Sequence, residues 1–271
     1  MKITVLMENT APKGLLKEWG LSLYIEYSGK TFLLDTGASG KFLKNMATIG
    51  LSPKNVDIGI LSHGHYDHAN GLKPFFKAND KAKFYLRETA DGDYYGTFLK
   101  YFHDYIGIKK SVKKNFSNRI EYVRGDVELD KGVYLLPHKT LGLEANGERT
   151  HLYVKKNHHF SPDNFSHEQS LVFETDKGLV IFNSCSHGGA DVIINEVAST
   201  FPDKSIYAIL GGFHLFSSSE EYIRKFARRV KETGIQKVFT GHCTGLRAFN
   251  FLQQELGETI KYMTTGQVIE L

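Results

Sequence analysis

Three histidines and an aspartate fall within six residues, in the run His63-Gly64-His65-Tyr66-Asp67-His68. Imidazole and carboxylate are ligands that suit Zn²⁺ and other borderline divalent metals. An isolated histidine pair is most simply a solvated polar turn. Four ligand-type residues directly after the apolar stretch Val56 to Leu61 point instead to a metal-binding bend. Gly64 lets the backbone turn there without a Cβ penalty, so side chains that would alternate along a strand can converge on one concavity. With the distant histidines added, there are too many ligands for one ordinary zinc centre, and two adjacent ions are the natural reading. The chemistry of such a pair is metal-assisted hydrolysis. Two divalent ions about 3.5 to 4 Å apart lower the pKa of water toward about 7 and stabilise negative charge developing on an attacked carbonyl or phosphoryl group.

The elements that must hold these groups are read from periodicity and turn residues. Ile3 to Met7 is a strand, and Leu21 to Glu26 with Thr31 to Leu34 form a hairpin around Ser28-Gly29-Lys30. A helix covers Lys41 to Ile49, with Phe42, Met46 and Ile49 on one face and Gly50 as its stop. Val56 to Leu61 reads as a short buried strand that delivers the histidine bend, and Pro74 stands near the start of a short helix. Later, Leu171 to Glu174 and Leu179 to Phe182 form a hairpin, and Ala190 to Thr200 a helix closed by Pro202. Ile206 to Leu210 and Lys237 to Phe239 are strands. Ser217 to Glu221 has capping-box spacing before the amphipathic stretch Tyr222 to Thr233, and a last helix covers Leu246 to Leu256. The middle, about 80–162, is rich in Lys and Tyr and lacks clear periodicity. It reads as an insertion or lid on a single domain spanning 1–271. Its aromatic groups Tyr94-Tyr95, Phe98 and Tyr101-Phe102 are expected to pack rather than to wall a pocket.

A chain of 271 residues with 41% hydrophobic and 24% charged residues is neither disordered nor too small for a core. The net charge of +4 is a mild excess that does not suggest nucleic acid. Two cysteines, Cys185 and Cys243, cannot form a disulfide scaffold and fit a reducing compartment. No run approaches the roughly 18 to 20 apolar residues of a membrane span. The apolar start Met1 to Met7 is too short for a signal peptide, so a cytoplasmic protein is expected. Oligomeric state is not legible.

The His63-x-His65-x-Asp67-His68 pattern resembles the signature of the metallo-β-lactamase superfamily, and Phe32-Leu33-Leu34 running into Asp35-Thr36-Gly37 is similar to its Asp-Thr-Gly element. Within it, the chain resembles the subgroup named for dihydropterin-ribofuranosylaminobenzene-phosphate synthase. The matching pieces are Met7 to Thr10, Glu18 to Ser22, Ser62 to Leu72, Cys185 to His187, Gly211 to Leu215 and Gly241 to Gly245. Together these span about the first quarter and the last third of the chain. Three positions depart from the subgroup: Trp19 where a histidine is common, and Asn70 and Ser184 where a glycine is common.

The resemblance implies an α/β fold, a four-layer αβ/βα sandwich with its metals in a cleft at the edge of two sheets. It implies two divalent ions, Zn or else Mn or Fe, with His63 and His65 on the first and Asp67 and His68 on the second. His242 is implied as the final ligand of the second metal. Asp35 is implied as a buttress of the metal loop rather than a ligand. Most members carry a bridging aspartate near Cys185-Ser186-His187; here His187 is preferred as ligand, with Cys185 as the alternative. His167 stands where a first-metal histidine is often found, and either it, its neighbour Glu168, or neither completes the set. His214 is read as a substrate-side group, a proton donor or an anion contact, with Asp67 orienting the nucleophile. His103, His138, His151, His158 and His159 are expected at the surface.

The function implied is a metal-dependent hydrolase of a small anionic molecule such as a phosphoester. The lysines at 109, 110, 113 and 114 would suit such a substrate, although charge runs are usually solvated faces. Alternatives are a pterin-pathway synthase, a di-iron redox enzyme (for which no length remains for a flavin domain), and a nonhydrolytic sensor module. No nucleic acid or membrane partner is expected.

Overall fold

The computed structural model describes residues 1–98 and 102–271. Its chain divides into two compact units: Met1–Arg124 with Leu141–Glu168 and Thr264–Leu271, and Gly125–Thr140 with Gln169–Met263.

The first unit is built on a seven-stranded mixed sheet ordered Val268–Glu270, Lys2–Met7, Ser22–Tyr27, Lys30–Leu34, Ile58–Ile60, Lys83–Arg87, Ile120–Val123. The expected hairpin is present with Tyr27 opposite Lys30, and its two turn residues, Ser28 and Gly29, take positive φ of 49° and 77°. That is the turn whose twist matches paired strands. From Lys30–Leu34 onward the pairing is parallel. Ile58–Ile60 is shorter than the sequence suggests because the Val56 N–H closes a turn onto the Pro53 carbonyl. Helices Lys41–Thr48 and Leu72–Ala78 bury Phe42, Met46, Leu72, Phe75 and Phe76 in a core that also holds Leu6, Leu33 and Phe84. At about 25 cal/mol per Å² of apolar surface, such aromatic burial is the main stabilising term.

A separate four-stranded antiparallel sheet, ordered His159–Pro162, Leu152–Lys156, Tyr94–Phe98, Phe102–Tyr105, belongs to the same unit. The aromatic residues alternate across it. Tyr94 is buried, while the Tyr95 ring meets Tyr105 and Phe160 edge-on, with centroids 5.6 and 5.1 Å away. Tyr101 lies outside the described residues.

The second unit carries a seven-stranded sheet ordered Ile260–Tyr262, Lys237–Thr240, Ile206–Gly211, Gly178–Phe182, Gln169–Thr175, Val133–Pro137, Val127–Asp130. Its first four strands are parallel. The helices Ala190–Thr200, Glu220–Glu232 and Leu246–Leu256 follow the expected positions. Ser219 caps the second of them by accepting the Tyr222 N–H, and Ile223, Phe226, Ala227 and Val230 form its buried stripe.

Of the stretch 80–162, two strands lie in the first unit's large sheet, four form the small sheet, and Val127–Asp130 and Val133–Pro137 belong to the second unit. Among the described residues, no helix is long and apolar enough to cross a membrane.

Candidate metal centre

In the first unit the carboxyl ends of adjacent parallel strands deliver the chemistry. Lys30–Leu34 ends at Asp35, and Ile58–Ile60 leads through Leu61 into Ser62 and His63. Asp35 is fully buried with φ of 58°, a conformation that costs a non-glycine residue about 1 to 3 kcal/mol and persists where its surroundings hold it. Its Oδ1 accepts the Ser62 N–H at 2.7 Å, and its Oδ2 accepts the Ser62 hydroxyl at 2.6 Å and His68 Nδ1–H at 2.7 Å.

This fixes two tautomers. His68 gives its Nδ1 proton to Asp35, so Nε2 carries the lone pair. Ser62 Oγ spends its single proton on Asp35, so at His63 Nδ1, 2.8 Å away, the imidazole must donate, and Nε2 again is the basic nitrogen. His68 is held from its backbone too, since the Thr36 N–H and hydroxyl both donate to its carbonyl at 2.8 Å.

His65 precedes the single turn Tyr66–Ala69, which contains Asp67 and His68. The His63 ring lies 4.6 Å from His65 and 4.3 Å from His68, centroid to centroid. Asp67 Oδ2 stands 3.6 Å from His68 Nε2, a separation that suits two donors each about 2.0 to 2.2 Å from a shared ion. Burial, and then the neighbouring His167, push the His65 imidazole down to about 3, against the opposing pull of Asp67 and Asp163. The ring is therefore neutral, as a metal ligand must be. Gly64 is required by contact: a Cβ there would lie 2.2 Å from the Ala90 carbonyl oxygen. These buried, tautomer-fixed donors fit a divalent ion.

His167 is neither at the surface nor a ring with a spare nitrogen. It is fully buried, its Nδ1 accepts the Gly64 N–H at 3.0 Å, and its Nε2 meets Asp163 Oδ2 at 2.9 Å. Glu168 is also fully buried, at the end of the turn that the Phe165 carbonyl closes. Asp163 is not apparent from the sequence. The only signal was its position four residues before His167.

The second unit gathers its candidates at the carboxyl ends of three neighbouring parallel strands, the usual place for a ligand in such sheets. Gly178–Phe182 leads to Cys185 and His187, Ile206–Gly211 to His214, and Lys237–Thr240 to His242 and Cys243. Gly211 and Gly212 let these ends touch, since a Cβ would lie 1.8 Å from the Asn183 carbonyl oxygen or 2.5 Å from Cys243 Sγ. Ser186, His214 and His242 all take positive φ, between 47° and 48°. The His187 and His214 rings are 4.6 Å apart. His214 donates its N–H to Cys243 Sγ at 3.2 Å, and its ring Nδ1 is buried without a hydrogen-bond partner among the described residues. Cys185, Cys243 and His214 bring their ligand-type atoms within 4.8 Å of one another, and both cysteines are buried and outside any disulfide. Burial opposes ionisation of Cys243, yet a hydrogen bond with Cys185, its electrostatic interaction with the neighbouring His242 and the contacts with His214 draw its thiol well below the usual range.

Of the histidines expected at the surface, His103, His151, His158 and His159 are exposed or nearly so. His138 is not. Its side chain is 6% exposed, pairs with Glu196 at 3.0 Å and fills the space against Gly188.

A family model for the metallo-beta-lactamase superfamily matches residues 20–195. The chain is 29% identical to the 7,8-dihydropterin-6-methyl-4-(beta-D-ribofuranosyl)-aminobenzene-5'-phosphate synthase of Methanocaldococcus jannaschii, over 93% of this chain and 89% of that protein. The crystal structure of Tm1679, described as a metal-dependent hydrolase of the beta-lactamase superfamily, superposes with a TM-score of 0.85 at 31% identity, covering 100% of this chain and 99% of that one. The metallo-beta-lactamase fold protein YhfI from Bacillus subtilis superposes at 0.64 with 13% identity, covering 100% and 98% of the two chains, which supports the fold alone.

Proposed function

Since the chain belongs to the metallo-β-lactamase superfamily and has its α/β fold, we propose that it is a metal-dependent hydrolase of a small anionic substrate such as a phosphoester. Two divalent ions are its cofactor, zinc in the first instance and manganese or iron as alternatives. Their ligands are His63, His65, Asp67 and His68 in the first unit and, on the family pattern, His187 and His242 in the second.

The observation that carries this reading is the Asp35 network. One buried carboxylate fixes His68 directly and His63 through the Ser62 hydroxyl, so both rings keep a basic Nε2. A network of this kind is what orients metal-binding imidazoles and raises their basicity. When bound, divalent ions supply Lewis acidity and lower the pKa of water toward about 7. Asp67 orients the attacking water. His214, held by the Cys243 thiol at a strained φ, gives a proton to the leaving group.

The name of the Methanocaldococcus jannaschii relative supports a second reading, a synthase acting on a pterin and a phosphoribosyl compound. The two are separated by a screen of metal-loaded protein against phosphodiesters, phosphomonoesters, lactones and thioesters, with a pterin and phosphoribosyl pair alongside and His65→Ala as control. Turnover of one ester or lactone class that His65→Ala loses supports the hydrolase. Condensation of the pair without hydrolysis of the panel supports the synthase. Hydrolysis that His65→Ala leaves unchanged contradicts the assigned centre.

A further inference from the structure

Gly64 is the one residue between His63 and His65, and its peptide group is held from two sides. On one side a Cβ would collide with the Ala90 carbonyl oxygen at 2.2 Å, so this backbone sits directly on that loop. On the other, the Gly64 N–H points at His167 Nδ1, 3.0 Å away. A backbone N–H can only donate, so His167 Nδ1 is an acceptor and the neutral ring carries its proton on Nε2. That proton faces Asp163 Oδ2 at 2.9 Å.

The carboxylate has a second task. Its Oδ1 accepts the Phe165 N–H at 2.8 Å, and Phe165 sits at φ of 54° in the turn that presents His167. Tyr94 closes the arrangement. Its ring lies 4.0 Å from the His167 ring, centroid to centroid, and its hydroxyl donates to the Thr89 carbonyl at 2.6 Å. Asp163 and His167 are 1% and 0% exposed. The pair is closed off from solvent.

We propose that Asp163 and His167 are a positioning pair: through the Gly64 peptide they set the angle between the His63 and His65 imidazoles, which stand 4.6 Å apart at 83°. The inference rests on the reading that these two histidines hold metal. It gives His167 a role distinct from ligation, because both of its nitrogens are engaged by the protein. Binding an ion directly would require it to release either Gly64 or Asp163.

Cobalt(II) titration of the whole protein, read by visible absorption and by competition with a chelator, tests the pair. His167→Leu removes the acceptor and is expected to weaken cobalt binding about 10- to 100-fold and to shift the visible bands. His167→Asn can offer its Oδ1 to the Gly64 N–H while being a poor metal ligand. It is expected to restore affinity to within about threefold of the original chain. Asp163→Asn keeps an acceptor for Nε2–H and removes the charge, with an expected loss of about tenfold. Thermal melting establishes that each variant folds, and if His167→Leu does not fold, the other two decide. Cobalt affinity and spectrum unchanged in His167→Leu or in Asp163→Asn would overturn the proposal. So would a folded His167→Asn that binds as weakly as His167→Leu, the result expected of a direct ligand. Failure of the underlying metal reading looks different: the original chain and His65→Ala would then bind cobalt equally, or neither would bind it.

Discussion

At the scale of single residues, the candidate centre depends on Asp35. Its carboxylate takes three buried donors, and Asp35→Ala would leave the Ser62 N–H, the Ser62 hydroxyl and His68 Nδ1–H without it. At about 1 to 3 kcal/mol for each buried group left unsatisfied, partly relieved by relaxation, the expected loss is about 3 to 5 kcal/mol in urea unfolding. His65 gives a pH signature in metal-free protein. Its folded pKa of about 3 lies below the ordinary histidine value of 6.5, so the unfolded chain binds the extra proton and the folded one does not. The stability is complete above pH 6.5 and declines as pH falls from there toward 3. Melting temperatures of the metal-free protein should therefore fall over this window, and less steeply in His65→Gln. Equal slopes in the two proteins would contradict the burial argument. The ligand run was legible because four ligand-type residues within six positions seldom gather by chance in a solvated turn. Asp163 was not, because its purpose depends on Gly64, about a hundred positions earlier. His138 misled for the same reason: its partner Glu196 lies on a distant helix.

At the scale of elements, both units place their candidate groups at the carboxyl ends of parallel strands, and glycines let those ends approach. Gly211→Ala puts a Cβ 1.8 Å from the Asn183 carbonyl oxygen at a φ of 145°. We expect a loss of about 3 kcal/mol or more, because backbone rather than a flexible side chain must yield. Denaturant midpoints measure this, and a loss under about 1 kcal/mol would mean that the strand ends are looser than described. Hairpins and capped helices were readable because turn residues and amphipathic stripes are local signals, as at Ser28-Gly29 and Ser219. Lys83–Arg87 was not, because its pairing is with Ile58–Ile60 and Ile120–Val123, both far from it in sequence. Val127–Asp130 and Val133–Pro137 lie in the second unit although they fall within the stretch that reads as one insertion.

At the scale of the whole chain, the net charge is only +4, and several lysines stand in local ion pairs. Lys113 pairs with Asp91, and Lys110 lies 3.5 Å from Asp93 with its side chain 82% exposed. The lysine run is thus a solvated, partly neutralised face, and the case for an anionic substrate rests more on the candidate metal ligands than on it. The most direct test is elemental analysis of protein loaded with zinc or manganese and then desalted, beside a His63→Ala/His65→Ala double variant that still folds. The expected result is about two ions per chain in the original protein and loss of bound metal in the variant. Fewer than about one ion per chain, or the same content in both proteins, would contradict a metal centre built on these histidines.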